Sequence, residues 1–346
     1  MTIQKTKKSY RSYSSLRRSR FRRAITIFVA LLCLLTATYL TSSVHAQTSK
    51  PSVIKVDYAY YNPVSLVLKD KGWLAQDLAK DGVKIEWVLS QGSNKALEFL
   101  NGSSLDFGST SGASALIGKA NGNPIKSVYV FSKPEWTALV TGANSSIRSV
   151  KDLKGKKIAA TRGTDPFIFL LRALDKNGLS AKDVEIIPLQ HADGKIALEK
   201  GDVDAWAGLD PFMARSEIEN GSKLFFRQPS LNSFGVLNVR EAFANQYPEY
   251  VIKVLRSYEK ARKWAIANPS ELRKVLIRES KLTDAIAARQ LERTDLSNPV
   301  IGDRQKVVMA GSGDVLKKSR VIKNSVVVDQ VVRNLIDPQY INKVGK

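Results

Sequence analysis

The residues of this chain best suited to holding a charged ligand lie in Val150–Asp165, VKDLKGKKIAATRGTD. Their order is a turn-rich entry over Val150–Lys156, a short apolar strand over Lys157–Thr161, a loop on Arg162-Gly163 and then a helix start. Thr164 or Asp165 can cap that helix, and Pro166 fits its first turn, where a missing N–H costs nothing. A strand, a glycine-containing loop and a helix N-terminus leave several backbone N–H groups aimed at one spot. The positive end of the helix dipole stands behind them, so the place favours an anion. Arg162 adds a planar, permanently charged donor set suited to a carboxylate, sulfonate or phosphate.

Similar units precede this stretch. Ser52–Tyr60 alternates apolar and polar residues as a strand does, and Tyr60, Tyr61, Asn62 and Pro63 turn it into a helix interrupted at Lys71-Gly72. A strand over Val83–Leu89 ends in Ser90-Gln91-Gly92-Ser93 and opens helix Asn94–Leu100. Ser104–Gly108 reads as a third strand, ending in Ser109-Thr110-Ser111-Gly112 before helix Ala113–Ala120, and Ile125–Phe131 as a fourth. Repeated units of this size imply a largely parallel, doubly wound sheet, which binds ligands beyond the carboxyl ends of its strands. Serine and threonine before a helix ordinarily cap it. Three such loops at one sheet edge would form a rim of neutral donors fit for a tetrahedral oxyanion.

The second half repeats the pattern. Thr137–Thr141 reads as a strand leaving a first lobe, and the Val150–Asp165 stretch opens a second. Helix Phe167–Asn177, strand Val184–Leu189, the loop Gln190-His191-Ala192-Asp193 and helix Gly194–Lys200 follow. Strand Val203–Ala207 leads to Asp210-Pro211, a good helix start, and a helix through Met213–Glu219. Phe234–Val239 reads as a strand returning to the first lobe. From there Arg240–Asn268 forms one long helical pattern with Pro248 early in it. Helices at Ser270–Ser280 and Asp284–Thr294, a polar Gly/Ser/Lys stretch and a helix near Val326–Leu335 complete a tail that braces the first lobe. Trp136 and Trp206 are either core residues or cleft walls against the apolar part of a ligand.

Composition removes several classes of function. Residues 1–23 hold nine lysines and arginines and no acid, an apolar run follows over Ala24–Leu40, and Val44 and Ala46 are small. That is the pattern of a secretory signal over residues 1–46, cleaved after Ala46; a signal anchor is the alternative. The whole chain has 54 basic and 32 acidic residues, and the leader takes nine of the basic ones, leaving +13 on the rest. Those charges are interspersed along helices rather than gathered in a tract, so nucleic acid is not the expected partner. Cys33, the one cysteine, lies in the leader, which excludes a disulfide framework or thiol chemistry from the remainder. His191 is the one histidine beyond the leader, and no G-x-S-x-G turn accompanies it, so a catalytic triad and a zinc site both lack their parts. It reads as a loop or cleft-lining residue. No G-x-x-x-x-G-K-[ST] loop and no calcium-spaced acidic loop is present. No metal, no cofactor and no catalysis is expected.

The segments SVKDLKGKKIAATRGT, GDVDAWAGLDPF and NQYPEYVIKVLRSYEKARKWAIANP resemble the aliphatic sulfonate-binding proteins. These are substrate-binding components of ABC importers within a wider nitrate, sulfonate and taurine receptor group. The resemblance runs from about Ser52 to Leu335, with Leu209 standing where the sulfonate branch usually has a second tryptophan. It implies a two-lobed, periplasmic-binding-protein-like α/β fold of type II, its doubly wound mixed sheets joined by two crossover strands. Lobe one would be residues 52–136 and 240–346, and lobe two residues 137–239. It implies a monomeric periplasmic receptor that closes over a small organic anion and is read by a membrane permease. Sulfonate oxygens would be held by Ser90, Gln91, Gly92, Ser109, Thr110, Arg162, Gly163 and Thr164. The organic tail would lie on Tyr60, Tyr61 and Trp206, with Asp210 orienting second-lobe donors or Arg162. Asn62, Trp136, Asp165 and His191 complete the expected ligand-binding set. Taurine, nitrate or a thiamine-precursor pyrimidine are alternative ligands, and a two-lobed enzyme is the alternative class.

Overall fold

The computed structural model describes residues 50–344, so the expected leader lies outside it. Strands β1 (Val53–Tyr58), β2 (Lys84–Leu89), β3 (Phe107–Ser111) and β4 (Ile125–Pro134) come first along the chain. They are separated by helices α1 (Pro63–Lys71), α2 (Trp73–Ala79), α3 (Ser93–Asn101) and α4 (Gly112–Ala120). A second run contains β5 (Leu139–Thr141), β6 (Lys157–Ala160), β7 (Glu185–Pro188), β8 (Ala205–Ala207) and β9 (Lys223–Phe226). Its helices are α5 (Asp165–Lys176), α6 (His191–Lys200) and α7 (Phe212–Asn220). The chain then returns through β10 (Gly235–Arg240) to α8 (Glu241–Gln246), α9 (Pro248–Ala267), α10 (Pro269–Ser280) and α11 (Asp284–Glu292). After β11 (Thr294–Asp295) come α12 (Asp303–Ala310), α13 (Gly313–Lys318) and α14 (Val328–Leu335).

Two mixed sheets result, in the orders β11-β4-β10-β3-β1-β2 and β7-β6-β8-β5-β9. In the first, β1 pairs parallel with β2 and β3, while β10 inserts antiparallel between β3 and β4. In the second, β6 pairs parallel with β7 and β8, and β5 antiparallel with β8 and β9. Helix α5 shows how the first sheet and one face of the second share a core, while the other face of the second sheet packs into a smaller cluster around Trp206. Its run Phe167–Leu171 is wholly buried, each such side chain contributing about 2 kcal/mol by leaving water.

Three expected boundaries move, each for a physical reason. The third strand is Phe107–Ser111 rather than Ser104–Gly108, because pairing with β10 over Gly235–Val239 draws Ser109, Thr110 and Ser111 into the ladder. The long helix after Arg240 breaks at Tyr247, since Pro248 lacks an N–H and opens α9 instead of continuing α8. The polar stretch before α14 is not loop: it contains α12 and α13, whose Met309, Val315 and Leu316 are buried.

Candidate functional site

A cavity of about 300 Å³ lies between loops that leave the two sheets. On the first-sheet side its wall is Tyr60 and Tyr61 after β1, and Leu89, Ser90 and Gln91 at the end of β2. On the second-sheet side it is Gln190, His191, Ala192 and Asp193 at the start of α6. Leu209, Asp210, Pro211 and Phe212 at the start of α7 complete that side. All of these follow strands at their carboxyl ends, the edge at which parallel strands leave a crevice. The volume is at the small end of ligand sites.

The first wall is stiffened from behind. Asn62 accepts from Ser65 N to cap α1, and its Nδ2 donates to Ser109 Oγ at 2.8 Å. Ser109 in turn donates its N and Oγ to Asp57, each at 2.8 Å. Tyr61 donates its hydroxyl to Ser109 O at 2.8 Å. Asp57 is fully buried, and burial outweighs those donors to push its carboxyl up to about 6. Trp136 packs edge-on to Tyr61, ring centres 5.9 Å apart, so it backs the wall rather than facing the cavity.

The second wall is held differently. His191 is 1% exposed, and its Nδ1 lies 3.2 Å from Thr161 Oγ1. The Thr161 hydroxyl donates to Leu189 O, so Nδ1 carries the proton toward Thr161 and Nε2 is left as an acceptor. Burial lowers the imidazole to about 3, so the ring is neutral. Asp210 accepts from Ala214 N in the first turn of α7 and meets Arg293 Nη1 with both oxygens at 3.3 Å. Burial raises that carboxyl to about 7 against the pull of Arg293. Arg293 also pairs with Glu217, and Gln290 Nε2 donates to Tyr60 O at 2.6 Å, so the segment around α11 spans both walls.

Of the expected ligand-binding residues, Tyr60, Tyr61, Ser90, Gln91, His191 and Asp210 line the cavity. Gly92 stands at its edge: a Cβ there would come within 3.0 Å of His191 Nε2 and 2.7 Å of Asn94 Oδ1. A side chain at Gly92 would thus press on both Asn94 of the first wall and His191 of the second, so the two walls meet there. Asn62, Ser109 and Thr110 are spent in the hydrogen bonds behind the first wall, Thr110 accepting from Asn238 Nδ2 at 2.8 Å. Arg162 is exposed and, with Gly163, lines a separate groove beside Phe167 and Arg320. Thr164 donates to Thr161 O within its own turn.

Asp165 is not free for a ligand or a cap. It accepts from Trp136 Nε1 at 2.8 Å and from Ser233 N and Oγ at 2.9 and 2.8 Å, tying together the two segments that connect the sheets. Trp206 is fully buried under α6, where Gly194 leaves room for its indole; it is a core residue, not a cleft wall. The reason is common to these corrections. A polar or aromatic residue beside a sheet is claimed first by neighbouring strands, and only what they leave unsatisfied faces the cleft.

A family model described as NMT1/THI5 like matches residues 64–272, more than half of the chain. The chain belongs to that family. It is 29% identical over 272 residues to a protein of Bacillus subtilis (strain 168) named as a candidate aliphatic sulfonates-binding protein, covering 78% of this chain and 82% of that one. A likewise named protein of Escherichia coli (strain K12) is 30% identical over 218 residues, 62% of this chain and 68% of that protein. Among solved structures, the alkanesulfonate-binding protein SsuA of Xanthomonas axonopodis pv. citri, bound to MOPS, superposes with a TM-score of 0.75 at 24% identity. It covers 84% of this chain and 99% of that one. The α/β two-sheet architecture of this family member is thus that of such binding-protein structures.

Sequence reasoning missed Gln190, Asp193, Phe212 and, behind them, Arg293. The first two sit in a loop singled out only for His191. Arg293 carried no local signal, because it reaches Asp210 across 83 positions of sequence. The expectation of an arginine at the anion site is also changed, since among the described residues no lysine or arginine lines the cavity.

Proposed function

We propose that the chain is an exported solute-binding protein that captures an organic sulfonate in this cavity and delivers it to an ABC permease. The observation carrying the reading is the donor character of the first wall. Helix α3 begins at Gly92 with no side-chain cap and no acid in its first turn, and its first ladder bond runs from Ala96 N to Gly92 O. The amides before Ala96 and the helix dipole thus present a positive end directly behind Gln91, without a full charge that would hold an anion too tightly for release. Tyr60, Tyr61, Leu89, Leu209 and Phe212 give the apolar surface that an organic tail needs. The names of the relatives point to the same ligand class.

In this reading residues 52–136 and 240–346 form one lobe and residues 137–239 the other. That division agrees with the strand membership of the two sheets except at β10, whose Gly235–Val239 pair with β3 and β4 of the first sheet and would move that boundary back to about Phe234. Ligand contacts to both walls favour the closed arrangement, and the permease reads that arrangement. The receptor is periplasmic, monomeric, cofactor-free and non-catalytic.

Thermal-shift titration tests this with alkanesulfonates of increasing length, nitrate, sulfate and bicarbonate. A ligand that binds only the folded form raises the melting point by mass action. A saturable rise with alkanesulfonates is the expected result. A rise with nitrate alone keeps the receptor and discards the sulfonate, and no rise with any anion discards both.

A further inference from the structure

A second concave surface runs along the seam between α5 and α13, away from the cleft. It is made of three adjoining cavities of about 320, 350 and 340 Å³, which share Arg320. Arg162 stands in the first, Lys182 in the second and Lys317 in the third, and Lys318 lies where the last two join. Five cations thus line this groove, against two acids, Asp175 and Asp314. Lys318 pairs with Asp175 at 2.8 Å, whereas Arg162, Lys182, Lys317 and Arg320 have no ion-pair partner among the described residues. Between the charges, Leu179, Ala181, Ile186 and Val321 are only half-buried, so apolar surface is left open.

Arg320, the residue common to the whole groove, is held there at a cost. Helix α13 ends at Lys318, and Arg320 follows the cap residue Ser319 with a φ of 55°, the left-handed conformation that glycine adopts more cheaply. Unpaired like charges around one groove also repel one another, and an anionic partner relieves that repulsion. The concave shape keeps a flat bilayer from the apolar floor, while the joined length suits an extended chain. We propose that the groove docks an extended acidic segment of a partner protein. Its carboxylates meet Arg162, Lys182, Lys317 and Arg320, and its apolar side chains lie on Ile186 and Val321. Gly313 at the start of α13 packs on Val328 of α14, so a docked segment touches both the second run of the chain and the tail. The proposal does not depend on what the cleft binds.

The test follows the fluorescence anisotropy of a labelled peptide repeating Glu-Glu-Leu, and of its analogue repeating Glu-Glu-Ser, on addition of the protein. The variants are Arg320→Glu and Lys182→Glu in the groove and Lys84→Glu on β2, an equal charge change outside it. All three side chains are exposed, so the variants keep the fold. The leucine peptide should bind, more weakly as salt rises, and more tightly than the serine peptide. Each groove variant should lower its affinity at least tenfold, and Lys84→Glu should stay within twofold. No binding of the leucine peptide, or an equal loss in Lys84→Glu, overturns the proposal. Retention on phosphatidylglycerol vesicles that Arg320→Glu abolishes, with no peptide bound, also overturns it and gives the groove to a membrane surface. The alkanesulfonate titration of the same variants reads the cleft separately, so either reading can fail while the other stands.

Discussion

The two walls of the cleft are made from the same unit, a strand followed by a loop and a helix, yet they differ in what they leave unsatisfied. On the first wall several polar side chains are consumed behind the surface, though the buried Ser90 Oγ and Asn94 Oδ1 have no partner among the described residues. Asp57, Asn62 and Ser109 bond to one another, and the cavity meets a helix end without an acid. On the second wall an acid stands at each helix start, Asp193 in the first turn of α6, whose N-terminus has no side-chain cap bond, and Asp210, which accepts from Ala214 N in α7. What faces the cavity there is acceptors. The same local grammar thus gives a donor surface or an acceptor surface, depending on whether an acid falls inside or outside the loop.

The largest break in this comparison should come from Asp210→Ala. It strands the buried Arg293 with Glu217 as its remaining partner, and removing one member of a buried pair costs about 3 kcal/mol. Denaturant melts should show that loss, whereas a change under 1 kcal/mol would mean that the pair does not brace the second wall.

Next is a pH effect confined to His191. Its folded value of about 3 lies below the ordinary 6.5, so the unfolded chain takes up a proton that the folded chain refuses. Stability is therefore lost as pH falls from about 6.5 toward 3, by up to about 1.4 kcal/mol per pH unit. Asp57 and Asp210 work in the opposite sense, since their raised values favour the folded chain on acidification from about 7 to 4. The difference between wild type and His191→Gln isolates the histidine. The variant should lose less stability between pH 6.5 and 4, and parallel curves would show that the ring protonates in the folded state.

Gly92→Ala addresses the seam between the walls. A methyl group there presses on Asn94 Oδ1 and His191 Nε2, so sulfonate affinity should drop about tenfold (about 1.4 kcal/mol) while the melting point moves little. Unchanged affinity would place the ligand away from α3. The smallest effect is expected of Arg162→Ala, which removes a cation from the neighbouring groove. Ligand affinity should stay within twofold, and a tenfold loss would return the arginine to the anion site.

Much of the fold was legible before the structure. Strand alternation, Gly72 in α1–α2 and the capping residues locate nearly every element to within a few residues, because these signals act over one or two turns. The polar loops were legible as ligand-facing in kind. Ser90, Gln91 and His191 do reach the cavity, while Ser109 and Thr110 do not, because their strand runs three residues further than its apolar pattern suggests. Asp165 read as a helix cap and became the tie between two distant segments.

The sequence alone determined the order of strands and helices, the family, and the supply of hydroxyls, amides and acids at helix starts. Only the tertiary structure decided which of them face the ligand. The insertion of β10 beside β3 consumed one set of hydroxyls, and the packing of α6 on β8 buried Trp206. Arg293 arrived from the tail to neutralise Asp210. A side chain's chemistry is local, but whether it remains free depends on which donors and acceptors the fold brings within 3 Å of it, and that is settled only by strand order and packing.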